Sequence, residues 1–130
     1  MRTKQILIID DDKDFTKSLK ATLEEKDYLV ETANDSNTGM EKLRVKKPDL
    51  LLLDVMMETN LEGHKIAHNI KSHPDYSDLP ILIITGMKDS LGVNIRDAFE
   101  DIKGLPGVYL MDKPFETDEL LSRMNELLLG

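Results

Sequence analysis

Four short stretches of this chain carry side chains that can do chemistry together. Asp10, Asp11 and Asp12 form an acidic triplet directly after Ile6-Leu7-Ile8-Ile9. Asp54 closes the run Leu50-Leu51-Leu52-Leu53, and Thr85 follows Ile81-Leu82-Ile83-Ile84. Asp112, Lys113 and Pro114 follow Val108-Tyr109-Leu110-Met111. Two carboxylates about 4 Å apart repel by ~4 kcal/mol at an effective dielectric near 20. Grouping Asp10, Asp11 and Asp54 therefore calls for a cation or a retained proton. A hard divalent ion such as Mg²⁺ is the natural counter-charge, because it takes one or two carboxylates, several waters and phosphate oxygens. Lys113 adds a mobile positive charge suited to a phosphoryl oxygen, and Thr85 adds a hydroxyl donor. Metal, carboxylate nucleophile and electrostatic clamp are the parts of phosphoryl transfer. Each residue alone has a plainer role: aspartates cap helices, a threonine closes a turn, a lysine sits in solvent. The weight rests on the conjunction.

The elements needed to bring these residues together are legible in the hydrophobic pattern. The apolar runs do not alternate with polar residues, which suits strands covered on both faces of a parallel sheet. Tyr28-Leu29-Val30, followed by Glu31-Thr32, is one further strand candidate. Helical stripes lie between the runs. They are Phe15, Leu19 and Leu23; Met40 and Leu43, closed by Pro48; Ile66 and Ile70, stopped at Pro74; Leu91, Ile95, Phe99 and Ile102; and Leu120, Met124, Leu127 and Leu128. Ser90 is the expected N-cap of the fourth stripe and Gly104 lies just past its end. Strict alternation of strand and helix predicts an α/β fold with a parallel sheet and helices on both faces. In such open sheets ligands bind beyond the carboxyl ends of the strands, which is where the four polar stretches fall.

Composition bounds the possibilities. The chain has 130 residues, the size of one domain, so residues 1–130 are read as a single unit. Seventeen Lys and Arg against 25 Asp and Glu give a net charge of −8, which disfavours direct contact with a nucleic-acid backbone. With no cysteine, a disulfide scaffold, a thiol enzyme and a cysteine-ligated metal are excluded. No apolar run reaches the ~18 residues of a membrane span, and Ile6–Ile9 is too short for a signal-peptide core. The expectation is a soluble cytoplasmic domain without membrane insertion.

These residues and their order resemble the receiver domain of two-component response regulators over essentially the whole chain. The matching stretches are Ile6 to Asp12, Leu50 to Met57, Ile83-Ile84-Thr85-Gly86 and Asp112-Lys113-Pro114-Phe115. The resemblance implies a five-stranded parallel sheet of order 2-1-3-4-5. It implies that Asp54 accepts a phosphoryl group from a sensor histidine kinase or a histidine phosphotransfer protein. It implies that Asp10, Asp11, Asp54 and the Met56 backbone carbonyl hold Mg²⁺, Asp10 in part through water. Thr85 and Lys113 would bind the arriving phosphoryl group, and the Lys113-Pro114 peptide would be cis. Phosphorylation would switch a docking surface for an unidentified downstream protein, so the chain is expected to signal and not to be an enzyme.

The chain also departs from the family pattern. Glu58 stands where the family usually has proline, and Gly63 follows Asp54 by nine residues where eight is commoner. The 28 residues from Thr85 to Lys113 exceed the usual spacing. The family's aromatic switch position is Leu110 here, with Tyr109 one residue earlier. A one-residue shift points a strand side chain to the opposite face, so Tyr109 is expected as a core aromatic, with a switch role only if a bulge restores it. Two other readings use the same residues. Asp10 and Asp12 could be nucleophile and general acid of a haloacid-dehalogenase-type phosphatase, or the fold could serve as an unphosphorylated interaction module. Asp10-x-Asp12-x-Asp14 fails as a calcium loop, since Phe15 replaces the required glycine and Ala21 the required glutamate. His64 and His68, four apart, read as surface imidazoles, and Met56, Met57 and Met87 as core or pocket-rim residues. Asn34-Asp35-Ser36 is a glycosylation sequon with no secretion signal to support it.

Overall fold

The computed structural model describes residues 3–54, 69–85, 107–112 and 115–129. In chain order these form β1 (Gln5–Ile9), α1 (Lys13–Glu25), β2 (Leu29–Ala33), α2 (Ser36–Val45), β3 (Leu50–Asp54), β4 (Ile81–Thr85), β5 (Val108–Asp112) and α3 (Thr117–Leu129). Residues 69–72 are helical and lead into a 3₁₀ turn, Pro74–Tyr76. All five strands run parallel in one sheet of order β2-β1-β3-β4-β5. This is the predicted order. The stripe from Leu91 to Ile102, with Ser90, Gly104 and Ile66, lies outside the described residues.

The apolar runs form strands because both sheet faces are covered. One face carries Leu7, Ile9, Leu51, Leu53, Ile81, Ile83 and Val108, packed with Leu43 of α2 and Ile70. The other carries Ile6, Ile8, Leu50, Leu52, Leu82, Ile84 and Met111, packed with Leu19 and Leu23 of α1 and Leu120 and Met124 of α3. Leu50 through Leu53 are 0% exposed, so a strand there needs apolar residues at every position and cannot alternate.

β2 departs from expectation, since it runs from Leu29 to Ala33 and includes Glu31. It is an edge strand, and its exposed and buried positions mix, whereas Ile6–Ile9 of β1 and Leu50–Leu53 of β3 are buried at every position. Tyr28 lies before the strand, and its N–H donates to the Leu23 carbonyl at the end of α1. The turn there places Asp27 at φ 70°, a left-handed conformation that ends helices. Gly39 of α2 lies so close to β1 that a Cβ would stand 2.5 Å from Ile9 Cδ1. Among the described residues no helix is long and apolar enough to cross a membrane.

Candidate functional site

The register of the sheet decides which polar residues become neighbours. Ile9 of β1 pairs with Leu53 of β3, so Asp10 and Asp54 are successive residues on adjacent strand ends. Asp54 in turn pairs with Ile84, one residue before Thr85. Thr85 pairs with Asp112, the last residue of β5. Adjacent strands lie about 4.8 Å apart. Four neighbouring strands therefore deliver Asp10, Asp54, Thr85 and Asp112 to one edge of the sheet. Asp54, Thr85, Leu110 and Asp112 are described by their strand positions; Met56, Lys113 and Pro114, with Met57, Glu58, Gly63, His64, His68 and Met87, lie outside the described residues.

The acidic triplet divides its work. Asp10 is buried, 2% exposed, and its Oδ1 accepts a hydrogen bond from the Asp12 N–H at 2.9 Å. Its own N–H donates to the Ala33 carbonyl at 3.0 Å. Asp12 is the N-cap of α1, with Oδ1 accepting from the Phe15 N–H at 3.0 Å. This capping satisfies one of the free donors of the first turn, the role the plainer reading assigns to such aspartates. Asp11, between them, is exposed.

Two residues that the sequence reading passed over hold this turn. Asn34, the residue after β2, donates from Nδ2 to the Asp10 carbonyl at 2.8 Å and to Thr16 Oγ1 at 3.1 Å. Thr16 is buried, and its hydroxyl donates to the Lys13 carbonyl at 3.0 Å. Asn34 stood out in the sequence only as part of a sequon. The signal that could have found it is topological, since β2 pairs with β1 and the residue leaving one strand meets the residue leaving the other.

The far side of the site is tied to α1 through an aromatic contact. Phe15, in the first turn of α1, meets Phe115 edge-to-face with ring centroids 6.3 Å apart. Phe115 follows Lys113-Pro114 by one residue. Such pairs contribute about 0.5–1.5 kcal/mol beyond their buried area.

Tyr109 corrects the expectation of a core aromatic. It is 40% exposed on β5, which is an edge strand among the described residues. It pairs with Leu82, three residues before Thr85 on β4, or about 10 Å along the strand. It borders a groove of about 310 Å³ at the amino ends of the strands, with Lys4, Asp49, Pro80, Gly107 and Leu128.

The donor set suits a hard cation, because Asp10, Asp11 and Asp54 offer only oxygen, the ligand type Mg²⁺ prefers. Among the described residues no group of three histidine or acidic side chains could hold a metal ion, and the Asp54 carboxylate is not among those described.

The comparisons agree with this geometry. The family model of the response regulator receiver domain matches residues 6–125. The response regulator MprA of Mycobacterium ulcerans is 37% identical over 126 residues, which are 95% of this chain and 50% of that protein. This chain thus spans about half the length of the curated relatives it matches. Among solved structures, the signal receiver domain of a DNA-binding response regulator from Colwellia psychrerythraea has a TM-score of 0.80 at 28% identity, covering 98% of this chain and 99% of that one. A CheY-like receiver domain protein from Methanospirillum hungatei gives 0.79 at 26% identity, covering 98% and 94%. With the sheet order, the convergent strand ends and a family match over nearly its whole length in accord, the chain belongs to the response regulator receiver domain family of two-component signalling.

Proposed function

We propose that Asp54 is the phospho-acceptor of this receiver domain and takes its phosphoryl group from a phosphohistidine on a sensor kinase or phosphotransfer protein. A carboxylate oxygen of Asp54 attacks phosphorus. The P–O bond forms as the P–N bond to the imidazole breaks, and the departing nitrogen keeps the electron pair. Asp10, Asp11, Asp54 and the Met56 carbonyl would hold Mg²⁺. When bound, Mg²⁺ offsets the combined negative charge of the carboxylates and the phosphoryl oxygens. Thr85 donates its hydroxyl to the transferred group and Lys113 supplies the cationic clamp, across a cis Lys113-Pro114 peptide. The outcome is a shift between two conformations of a protein-docking surface. The domain works in the cytoplasm, passing the signal to a protein partner without touching nucleic acid itself.

One observation carries this reading: the register that lines up Asp10, Asp54, Thr85 and Asp112 on four adjacent strands. The phosphatase alternative asks Asp10 to be a nucleophile open to substrate. Its 2% exposure and its bond from the Asp12 N–H suit a fixed ligand better. For the switch, Leu110 stands in the aromatic position, while Tyr109, one residue earlier on the strand, pairs with Leu82 and is partly exposed. Incubation with acetyl phosphate and Mg²⁺ is expected to add one phosphoryl group, read by intact mass. Asp54→Asn abolishes the addition, and chelating the metal slows it strongly. Labelling that persists unchanged in Asp54→Asn would place the acceptor elsewhere.

A further inference from the structure

We infer that Asn34 and Thr16 form a positioning device that sets the affinity of Asp10 and Asp11 for their divalent cation, an inference that rests on the reading of the site above. The device lies outside the acidic motif and reaches it through the backbone. Asp10 is held at both of its peptide groups by the exit of β2. Its N–H donates to the Ala33 carbonyl at 3.0 Å, and its carbonyl accepts from Asn34 Nδ2 at 2.8 Å. The same amide donates to Thr16 Oγ1 at 3.1 Å. Thr16 sits one turn into α1, where its N–H donates to the Asp12 carbonyl at 3.0 Å. A single side chain thus bridges the two ends of the turn that carries Asp10, Asp11 and Asp12.

The physical need for such a brace comes from charge. Neighbouring carboxylates repel, and a turn that is free to relax carries them apart when no cation is bound. Re-gathering them then subtracts from the binding free energy, whereas a turn held in place avoids that loss. Partners that orient ligands in this way typically change metal affinity 10–100-fold when removed. Thr16 is 3% exposed, so its hydroxyl is satisfied within the protein, by accepting from Asn34 and donating to the Lys13 carbonyl. Replacing Asn34 by alanine therefore frees the turn and removes a partner from a buried hydroxyl.

Mg²⁺ alone is titrated into the folded, unphosphorylated protein, and the amide shifts of Asp11 and Asp12 are followed by NMR. Asn34→Ala is expected to weaken Mg²⁺ binding about tenfold. Thr16→Val, which keeps the shape and loses the hydroxyl, weakens it by a smaller factor, and Thr16→Ser restores it. The double variant weakens it no more than Asn34→Ala alone, because Thr16 acts through Asn34. Thr22→Ala removes another hydroxyl bond of α1, to the Ser18 carbonyl, and leaves the affinity unchanged. If the wild type binds Mg²⁺ and both Asn34→Ala and Thr16→Val bind it equally well, the positioning role is wrong. If the wild type shows no Mg²⁺ response at these amides, the cation site itself is wrong, and the inference falls with it.

Discussion

Asp35 shows how much one carboxylate can organise. It caps α2, with Oδ1 accepting from the Thr38 N–H at 2.7 Å and Oδ2 from the Thr38 hydroxyl at 3.0 Å. The backbone bond from Thr38, followed by its hydroxyl bond, holds the Asp35 carboxyl below its ordinary value of 3.8. A folded-state pKa below the unfolded one means stability that is present above about pH 4 and is lost as pH falls through the lower, folded value. Acid unfolding of the wild type is therefore expected to include a contribution from Asp35. Asp35→Asn keeps a good cap but cannot titrate, so its stability falls less steeply between pH 5 and pH 2 in thermal melts. Equal slopes for the two proteins would count against this assignment. Asp10, Asp11 and Asp12 show the limit of residue-level reading. Composition marks all three as acids after a strand. Which one is buried, which caps the helix and which faces solvent follows from the path of the chain, and residue type alone carries none of it.

Among the elements, the edge strand β2 is the one most in need of protection. Leu29 N–H bonds to the Lys4 carbonyl and the Ala33 carbonyl to the Asp10 N–H, so these alternate residues face β1. The ladder then turns the backbone groups of Val30 and Thr32 outward. Lys42 of α2 donates to the Thr32 carbonyl at 2.6 Å and lies 3.5 Å from Glu31 Oε2. A lysine over an edge is a known means of discouraging strand addition. Lys42→Met is expected to raise concentration-dependent self-association over the wild type in sedimentation velocity, while Lys42→Arg does not. Identical sedimentation of all three would show that Lys42 does not guard the edge. The elements were legible in proportion to their burial. Leu50–Leu53 and Ile81–Ile84 announce central strands because nothing polar can survive there. β2 was misjudged in extent because its exposed side admits Glu31 and Thr32, and Tyr109 was misjudged because β5 is an edge as well. An apolar or aromatic residue on an edge strand does not declare which side it shows to water.

For the whole molecule, the −8 charge and the buried sheet separate two sources of stability. The described core is apolar on both sheet faces, while on the proposed reading the site gathers like charges that a cation would relieve. Added Mg²⁺ is expected to raise the unfolding free energy by about 2.7 kcal/mol at a hundred times its dissociation constant. Urea denaturation measures this, and Asp11→Asn removes most of the gain. An equal gain in that variant would mean that Mg²⁺ acts on the general charge and not at the site. The candidate site was legible as a set of residue types because the ends of β1, β3, β4 and β5 could be read from their apolar runs. The Asn34 bridge was not, because it exists only once β2 lies beside β1. The contact between Phe15 and Phe115 carries a consequence for the life history of the protein. The two rings stand a hundred residues apart in the chain yet meet at the border of the site. Contacts of such long separation form late, since loop closure must be offset before they contribute. In a chain still emerging from the ribosome, Asp10, Asp11 and Asp54 are present well before Phe115, so the ring contact is the later arrival. The tie between α1 and the segment that follows β5 is thus among the last contacts to form as this chain folds.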